Sequence, residues 1–335
     1  MILAAGKGER MRPLTDDIPK ALVNIAGKTL LEWAVDRYRQ SGINDIVIAV
    51  GWKSGMIEDF ISNCHIDARI VNVPDYERGP LQTFLSAIET FDDDFLLSPV
   101  DAVIDATSMI GIQDFHSAAK IPASMTLAVG HNTETGTIVK LEEDGLITNI
   151  GVVDLEERTI ARSAMMLVAH TSIRDVCKSA LDNGKKRVVQ LLEQIIRNNG
   201  RIRSYQVSKS WFDIDTLSDV LDANKHLLRL IDLRDTETVY IPQGDTIEVG
   251  GLISLKSGIE LGNGTVLRGP VLITQRCEIG ENCMIGPNVT ISANSIISAH
   301  SEITNSVIFG DSQISSRSRL NRSVIYKSVP YHAEA

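Results

Sequence analysis

From Val249 onward an aliphatic residue recurs at every sixth position: Leu255, Leu261, Leu267, Ile273, Ile279, Ile285, Ile291, Ile297 and Ile303. Phe309 continues the step, after which the phase slips to Ile314 and Leu320. A glycine or small residue often follows, as at Gly262, Gly280, Gly286, Ser292, Ser298 and Gly310. An α-helix cannot sustain a period of six, and ordinary hairpins do not produce one. The pattern is that of a parallel β-helix, in which each hexapeptide forms one flat face. Its aliphatic residue points inward and stacks on the equivalent residue of the next coil. The run accommodates about four coils. Cys277 and Cys283 each lie two residues before an inward isoleucine, a position that takes small inward side chains, and they read as packing residues. His300 is the only histidine within the repeat and reads as a coil residue, which leaves acyl transfer by the β-helix a minor alternative.

The N-terminal part, to about residue 235, follows a different pattern. Ile2 to Ala5 reads as a short buried strand. Thr29 to Gln40 reads as a helix with Leu30, Leu31, Ala34, Val35 and Tyr38 on one face, ended by Gly42. A strand at Ile46–Val50, a helix at Met56–Ile61, a strand at Arg69–Val73, a helix at Leu81–Thr90 and a strand at Phe95–Pro99 follow. Thr137–Leu141 and Leu146–Ile150, separated by Glu-Asp-Gly, predict a hairpin. Such alternation predicts an α/β domain, a Rossmann-like and mostly parallel sheet with helices on both faces. Ligands of these sheets bind beyond the carboxyl ends of the strands, which is where Asp101 falls. The expected domains are residues 1–235 and, for the β-helix, 236–335.

Composition narrows the function. The net charge is −10 and no long basic stripe is present, which argues against nucleic acid. No apolar stretch reaches transmembrane length, and the Met1–Ala5 run is too short for a signal peptide. The four cysteines show no metal-ligand spacing. A cytoplasmic protein with free thiols and no membrane partner is expected.

The segment from Leu3 to Thr15, Leu-Ala-Ala-Gly-Lys-Gly-Glu-Arg-Met-Arg-Pro-Leu-Thr, carries the main chemical signal. It is not a Rossmann fingerprint, because Met11 stands where the third glycine belongs, nor a Walker A loop. Its logic is still that of phosphate binding. A strand enters a glycine-containing loop whose bare N–H groups can approach an anion. Arg10 and Lys20 supply compensating charge.

With Pro19-Lys20 downstream, this segment resembles the signature of the sugar-phosphate nucleotidyltransferases almost residue for residue. That family includes glucose-1-phosphate thymidylyltransferase, mannose-1-phosphate guanylyltransferase and related uridylyltransferases, and many members carry a C-terminal left-handed β-helix. The resemblance implies that Leu3, Ala4, Ala5 and Gly6 line the nucleobase and ribose. It implies that Gly8 and Arg10 hold the triphosphate and that Lys20 binds phosphate oxygens in the transition state. Asp101 matches the first metal-binding aspartate. Trp211-Phe212-Asp213-Ile214-Asp215-Thr216 resembles the W-x-D-x-x-T stretch, which makes Asp213 the second Mg²⁺ ligand and Asp215 the competing choice. Gln82, in Gly79-Pro80-Leu81-Gln82-Thr83, is the candidate reader of the base. One amide offers a donor and an acceptor to a pyrimidine edge, which favours dTTP or UTP over GTP. Gln82 reads equally as a helix surface residue.

Three departures from the family pattern bear on the acceptor. Val100 replaces the glycine before the metal aspartate, and Phe84-Leu85 replaces small residues after Thr83. The strand ending at Asn149–Asp154 lacks the Glu-Lys-Pro that holds the sugar and its phosphate; Arg158, Arg162 and Lys140 are the cations left nearby. The expectation is an Mg²⁺-dependent enzyme that joins an NTP to a sugar 1-phosphate and assembles as a homo-oligomer through its β-helix. A non-catalytic subunit that binds nucleotide sugar, and a GTP-using mannose-1-phosphate guanylyltransferase, are the alternatives.

Overall fold

The computed structural model describes residues 1–118, 125–130, 136–151, 160–207, 211–230, 239–240 and 247–333. They form two compact units, and the chain gives three segments to each: Met1–Gly8, Ile18–Leu22 and Leu30–Asp213 to the first, Glu9–Asp17, Val23–Thr29 and Ile214–Ala335 to the second.

The first unit is built on one sheet. Strands β1 (Ile2–Ala4), β2 (Val47–Val50), β3 (Arg69–Asn72) and β4 (Phe95–Pro99) are parallel, in the order β4-β1-β2-β3. Every residue of β2 is fully buried, which is why its sequence is an unbroken apolar run. After the short β5 (Ala102–Val103) the sheet turns antiparallel. β6 (Met125–Gly130), β7 (Thr137–Leu141) and β8 (Ile147–Ile150) are joined to β4 through the ten-residue β9 (Ile160–Ala169). β10 (Ile202–Gln206) pairs in parallel with β6, and β11 (Phe212–Asp213) pairs with β5. The expected hairpin is β7–β8.

Helices α1 (Leu30–Gln40), α2 (Ser54–Asn63), α3 (Pro80–Ile88), α4 (Ala106–Ser117), α5 (Arg174–Asp182) and α6 (Val188–Arg197) belong to this unit. α1 buries Leu30, Leu31, Ala34, Val35 and Tyr38, the stripe expected of it. The Tyr38 hydroxyl donates to the Met1 carbonyl at 2.7 Å, so the one polar atom of that face is satisfied. Phe84 of α3 is fully buried and tilts against Phe95 of β4 at 5.8 Å. Asp105 caps α4 by accepting from the Ser108 N–H.

His116, near the end of α4, shares a proton position with Thr126 Oγ1 at 2.8 Å, and its Nε2 lies 3.8 Å from Asp94. Burial holds its pKa below the ordinary 6.5; Asp94 pulls the other way, while Arg203 and His170 add to the lowering. The unfolded chain therefore takes up this proton first as pH falls. Stability contributed by neutral His116 is present above about pH 6.5 and is lost as pH drops through the folded-state pKa. Urea unfolding of His116→Gln should show a shallower acid-side loss than the parent, and an unchanged slope would contradict this.

In the second unit the described residues of the β-helix form three sheets of five parallel rungs each, one more than the four coils expected. A final strand, Val329–His332, folds back antiparallel on Ser323–Tyr326. Leu255, Ile273 and Ile291 stack in one column, and Leu261, Ile279 and Ile297 in another. Above Ile291 and Ile297 the coils shorten by one residue: Ile291 pairs with Ile308 and Ile297 with Ile314. The inward residue is thus Ile308, and the expected Phe309 lies outside that core column, against the edge of Tyr326 at 6.1 Å. Val249 also departs from expectation. It is 56% exposed, and among the described residues its strand is the first rung of its sheet.

Each coil turns through a residue in the left-handed region. Gly258, Gly264, Arg276, Asn282, Asn288, Asn294 and His300 occupy these corners, and Asn305 comes five residues later. Glycine and asparagine tolerate that conformation best. Their spacing marks the shortened coil independently of the aliphatic pattern. Cys277 and Cys283 are fully buried in the column, and burial pushes both thiols up. All four cysteines are free. Helix α7 (Leu217–Leu227) is docked to the β-helix by a buried polar pair, since Thr290 Oγ1 donates to Asn224 Oδ1 at 2.7 Å. No helix among the described residues is long and apolar enough to cross a membrane.

Candidate active site

β1 delivers the signature segment to the carboxyl edge of the sheet. Leu3 pairs with Ala49 on one side and Pro99 on the other, and Ala4 and Ala5 are buried. The chain then leaves the sheet through Gly6, Lys7 and Gly8. A side chain at Gly6 would meet nothing within 4 Å, so that face of the loop is open, and Gly8 has φ 65°. Lys7 donates to Glu77 at 2.7 Å, and that contact holds the Glu77 carboxyl below its ordinary pKa.

Asp101 follows β4 directly. The Val100 N–H bonds to the Leu3 carbonyl at 3.0 Å and its side chain is buried, so the change from glycine is absorbed by the core. Lys20 is only 7% exposed, and its ammonium bonds directly to the Asp101 carboxylate. A cation this buried requires such a partner. The two-residue ladder β5–β11 sets Asp213 opposite Ala102. As a result Asp101 and Asp213 place carboxylate oxygens within 4.8 Å of one another. Trp211, 5% exposed, anchors this ladder: its ring lies where a side chain at Gly130 would have to go. Paired carboxylate oxygens are the donor set of a hard divalent cation, and this pair fits one.

Gln82 is half-buried in the first turn of α3 and donates to Ser86 Oγ at 3.2 Å. Phe84 and Leu85 belong to the hydrophobic core. Arg162 donates to the Gly136 carbonyl at 3.0 Å, and Lys140 lies within β7. Asn149 and Ile150, where the segment without Glu-Lys-Pro begins, end β8, while residues 152–154 and Arg158 lie outside the described residues.

Arg10 belongs to the second unit. It donates to Asp215 at 2.5 Å, and the Asp215 N–H is in turn held by Asp219 Oδ2 at 3.0 Å, within the capping box that Thr216 and Asp219 form at the start of α7. Asp215, the competing metal ligand in the sequence, is also the carboxylate that pairs with Arg10. Farther along the same segment, Asp17 accepts from the Tyr326 hydroxyl at 2.8 Å and from Lys327 at 2.5 Å. Burial and this carboxylate push Tyr326 up to about 12. No local motif announces these contacts, because the partners are far apart in sequence.

A strand-to-glycine loop, a buried lysine on one aspartate and a second aspartate beside it define a nucleotidyltransferase-type domain, here joined to a parallel β-helix. Residues 1–194 match the MobA-like NTP transferase domain, and the chain belongs to that family. Residues 267–330 match the GMPPB C-terminal domain. The glucose-1-phosphate thymidylyltransferase of Streptomyces antibioticus is 24% identical, over 98% of this chain and 92% of its own. The bifunctional protein GlmU of Methanocaldococcus jannaschii is 24% identical over 75% of this chain, which spans 60% of that relative's length. The N-acetylmuramate alpha-1-phosphate uridylyltransferase of Neisseria meningitidis is 52% identical, but over only 19% of this chain and 27% of its own. Among solved structures, the inositol-1-phosphate CTP transferase from T. maritima shares the fold with a TM-score of 0.56 at 17% identity, covering 65% of this chain and 89% of that one.

Proposed function

We propose that this chain transfers a nucleotidyl group from an NTP to a sugar 1-phosphate, releasing pyrophosphate. The observation that carries the reading is the buried Lys20–Asp101 pair with Asp213 beside it, just past β4, the parallel neighbour of the strand that carries the signature loop. An oxygen of the sugar phosphate attacks the α-phosphorus, a P–O bond forms, and the bond from the α-phosphorus to the bridging oxygen breaks in line. Nothing is transferred to the protein, so its work is positioning and neutralising spreading negative charge. Asp101 and Asp213 would hold Mg²⁺, which supplies Lewis-acid stabilisation to phosphate oxygens when bound. Lys20 moves part of its charge from Asp101 to the α-phosphate, and Arg10, oriented by Asp215, takes charge on the departing pyrophosphate. The Gly6–Gly8 loop offers backbone N–H groups to the triphosphate, with Leu3, Ala4 and Ala5 behind the base and ribose. Gln82, near the N-terminal end of α3, favours UTP or dTTP.

The test is pyrophosphate release with Mg²⁺, crossing UTP, dTTP, GTP, CTP and ATP against hexose, aminosugar and polyol phosphates. Turnover with UTP or dTTP and one sugar 1-phosphate is the expected result. Turnover with GTP alone would move the reading to a guanylyltransferase. Nucleotide binding without turnover across the panel would move it to a regulatory subunit.

A further inference from the structure

Apart from the transfer chemistry, the second unit contains a cavity of about 200 Å³ between α7 and a corner column of the β-helix. Asp222 and Lys225, one turn apart and exposed, form the helix side. Asn288, Asn305, Asn321 and Arg322 form the other. The three asparagines make a one-way ladder: Asn288 Nδ2 donates to Asn305 Oδ1 at 2.8 Å, and Asn305 Nδ2 donates to Asn321 Oδ1 at 3.0 Å.

Two features of this lining are unexplained by folding. Asn288 is 8% exposed, and its Oδ1 is buried without a hydrogen-bond partner. Arg322 donates to Ser218 Oγ at 3.2 Å and lies 3.6 Å from Asp222, yet its Nε is also buried and unpaired. Orphaned buried polar atoms are rare and costly in native proteins. The two residues that carry these atoms both line this cavity. Lys225 and Arg322 against Asp222 leave the cavity with one excess positive charge. Its volume is below the roughly 300–1,000 Å³ of pockets that take drug-sized ligands, which excludes a nucleotide.

We propose that this cavity binds a small phosphate ester bearing hydroxyl groups, of the size of a three-carbon sugar phosphate. The phosphate meets Lys225 and Arg322, and the hydroxyls meet the amide ladder. The occupant rests on α7, whose capping box holds Asp215 and, through it, Arg10. An element that positions Arg10 thus carries a second binding face. Under the proposed transfer reaction, that makes the cavity a control point.

Binding there is measured without turnover, so an inactive enzyme would not obscure it. Titration calorimetry of the full chain uses sn-glycerol 3-phosphate and inorganic phosphate as probes. Glycerol 3-phosphate is expected to bind more tightly than phosphate. Lys225→Met, at an exposed position, should weaken it at least about tenfold, the scale of one charge-assisted hydrogen bond, and Arg322→Gln should do the same. No binding at millimolar concentration, or binding that survives both substitutions, overturns the proposal. Equal affinity for the two probes overturns the assignment to an ester.

Discussion

Asp101→Ala is expected to lower kcat by at least about 10²–10³-fold, the cost of removing one preorganised electrostatic contact from a transition state. The effect has two physical sources. The carboxylate is one of the two that Asp101 and Asp213 offer to the proposed divalent cation, which loses part of its footing. It is also the direct partner of Lys20, whose side chain is 8% exposed. Removing the aspartate takes that compensation from a buried ammonium, a change that costs about 3–5 kcal/mol in comparable pairs. Loss of activity through unfolding must therefore be separated from loss of chemistry. Asp101→Asn keeps the shape and one acceptor oxygen for Lys20, and should fold closer to the parent while remaining as inactive. Single-turnover pyrophosphate release and urea unfolding, run on both variants, make the distinction. An active Asp101→Asn would remove Asp101 from the proposed metal site.

Gly286→Ala is expected to destabilise the β-helix by about 3 kcal/mol or more, a large effect for one methyl group. Gly286 has φ +103°, a conformation L side chains rarely adopt. A Cβ there would overlap the Arg268 carbonyl and press on Val271, both in the adjoining coil. The first of these is backbone and cannot swing aside. The strand also cannot retreat, since the Gly286 N–H is bonded to the Ile303 carbonyl at 2.8 Å on its other side. Gly250→Ala is the control: a side chain there meets nothing within 4 Å, and the change should stay within about 0.5 kcal/mol. Equal urea midpoints for the two variants would show that the coil spacing yields more easily than its geometry implies.

Much of this architecture is legible in the sequence, for definable reasons. β2 and β4 are apolar runs because they are buried, and apolar runs bounded by polar loops are easy to see. The β-helix is legible because its inward column repeats at fixed spacing. Its slip of phase is not located correctly by aliphatic residues alone, since Ile308 and Phe309 are both apolar. The corner asparagines locate it, because a left-handed corner at Asn305 fixes the coil length. β9 is hidden for a different reason. Its register shifts between Ser163 and Leu167, with Met165 at φ 53°, so the two-residue alternation is broken within the strand. Helix α6 buries Val188, Val189, Leu191, Leu192 and Ile195 at helical spacing and is legible by that rule, though it is not among the elements expected from the sequence.

At the site, Lys20, Asp101 and Asp213 follow from motif resemblance, and the fold shows why those three meet. The roles of Asp215 and Asp17 do not follow. Both act through partners hundreds of residues away or on a neighbouring turn, and neither spacing nor residue type points to those partners. The departures at Val100 and Phe84 look alarming in sequence and prove harmless to the geometry, because both side chains enter the core.

The stacking of rungs also makes the C-terminal unit a ruler. Each rung of a sheet meets only the rungs before and after it, so a whole coil is the natural increment of length. Adding or removing one coil would leave every surviving column continuous, whereas an edit of six residues would turn one face of the prism onto another. The coils already come in two sizes, which shows that the prism absorbs a one-residue change where a corner takes it up. Height along the axis can therefore vary by duplication without redesign of the interior.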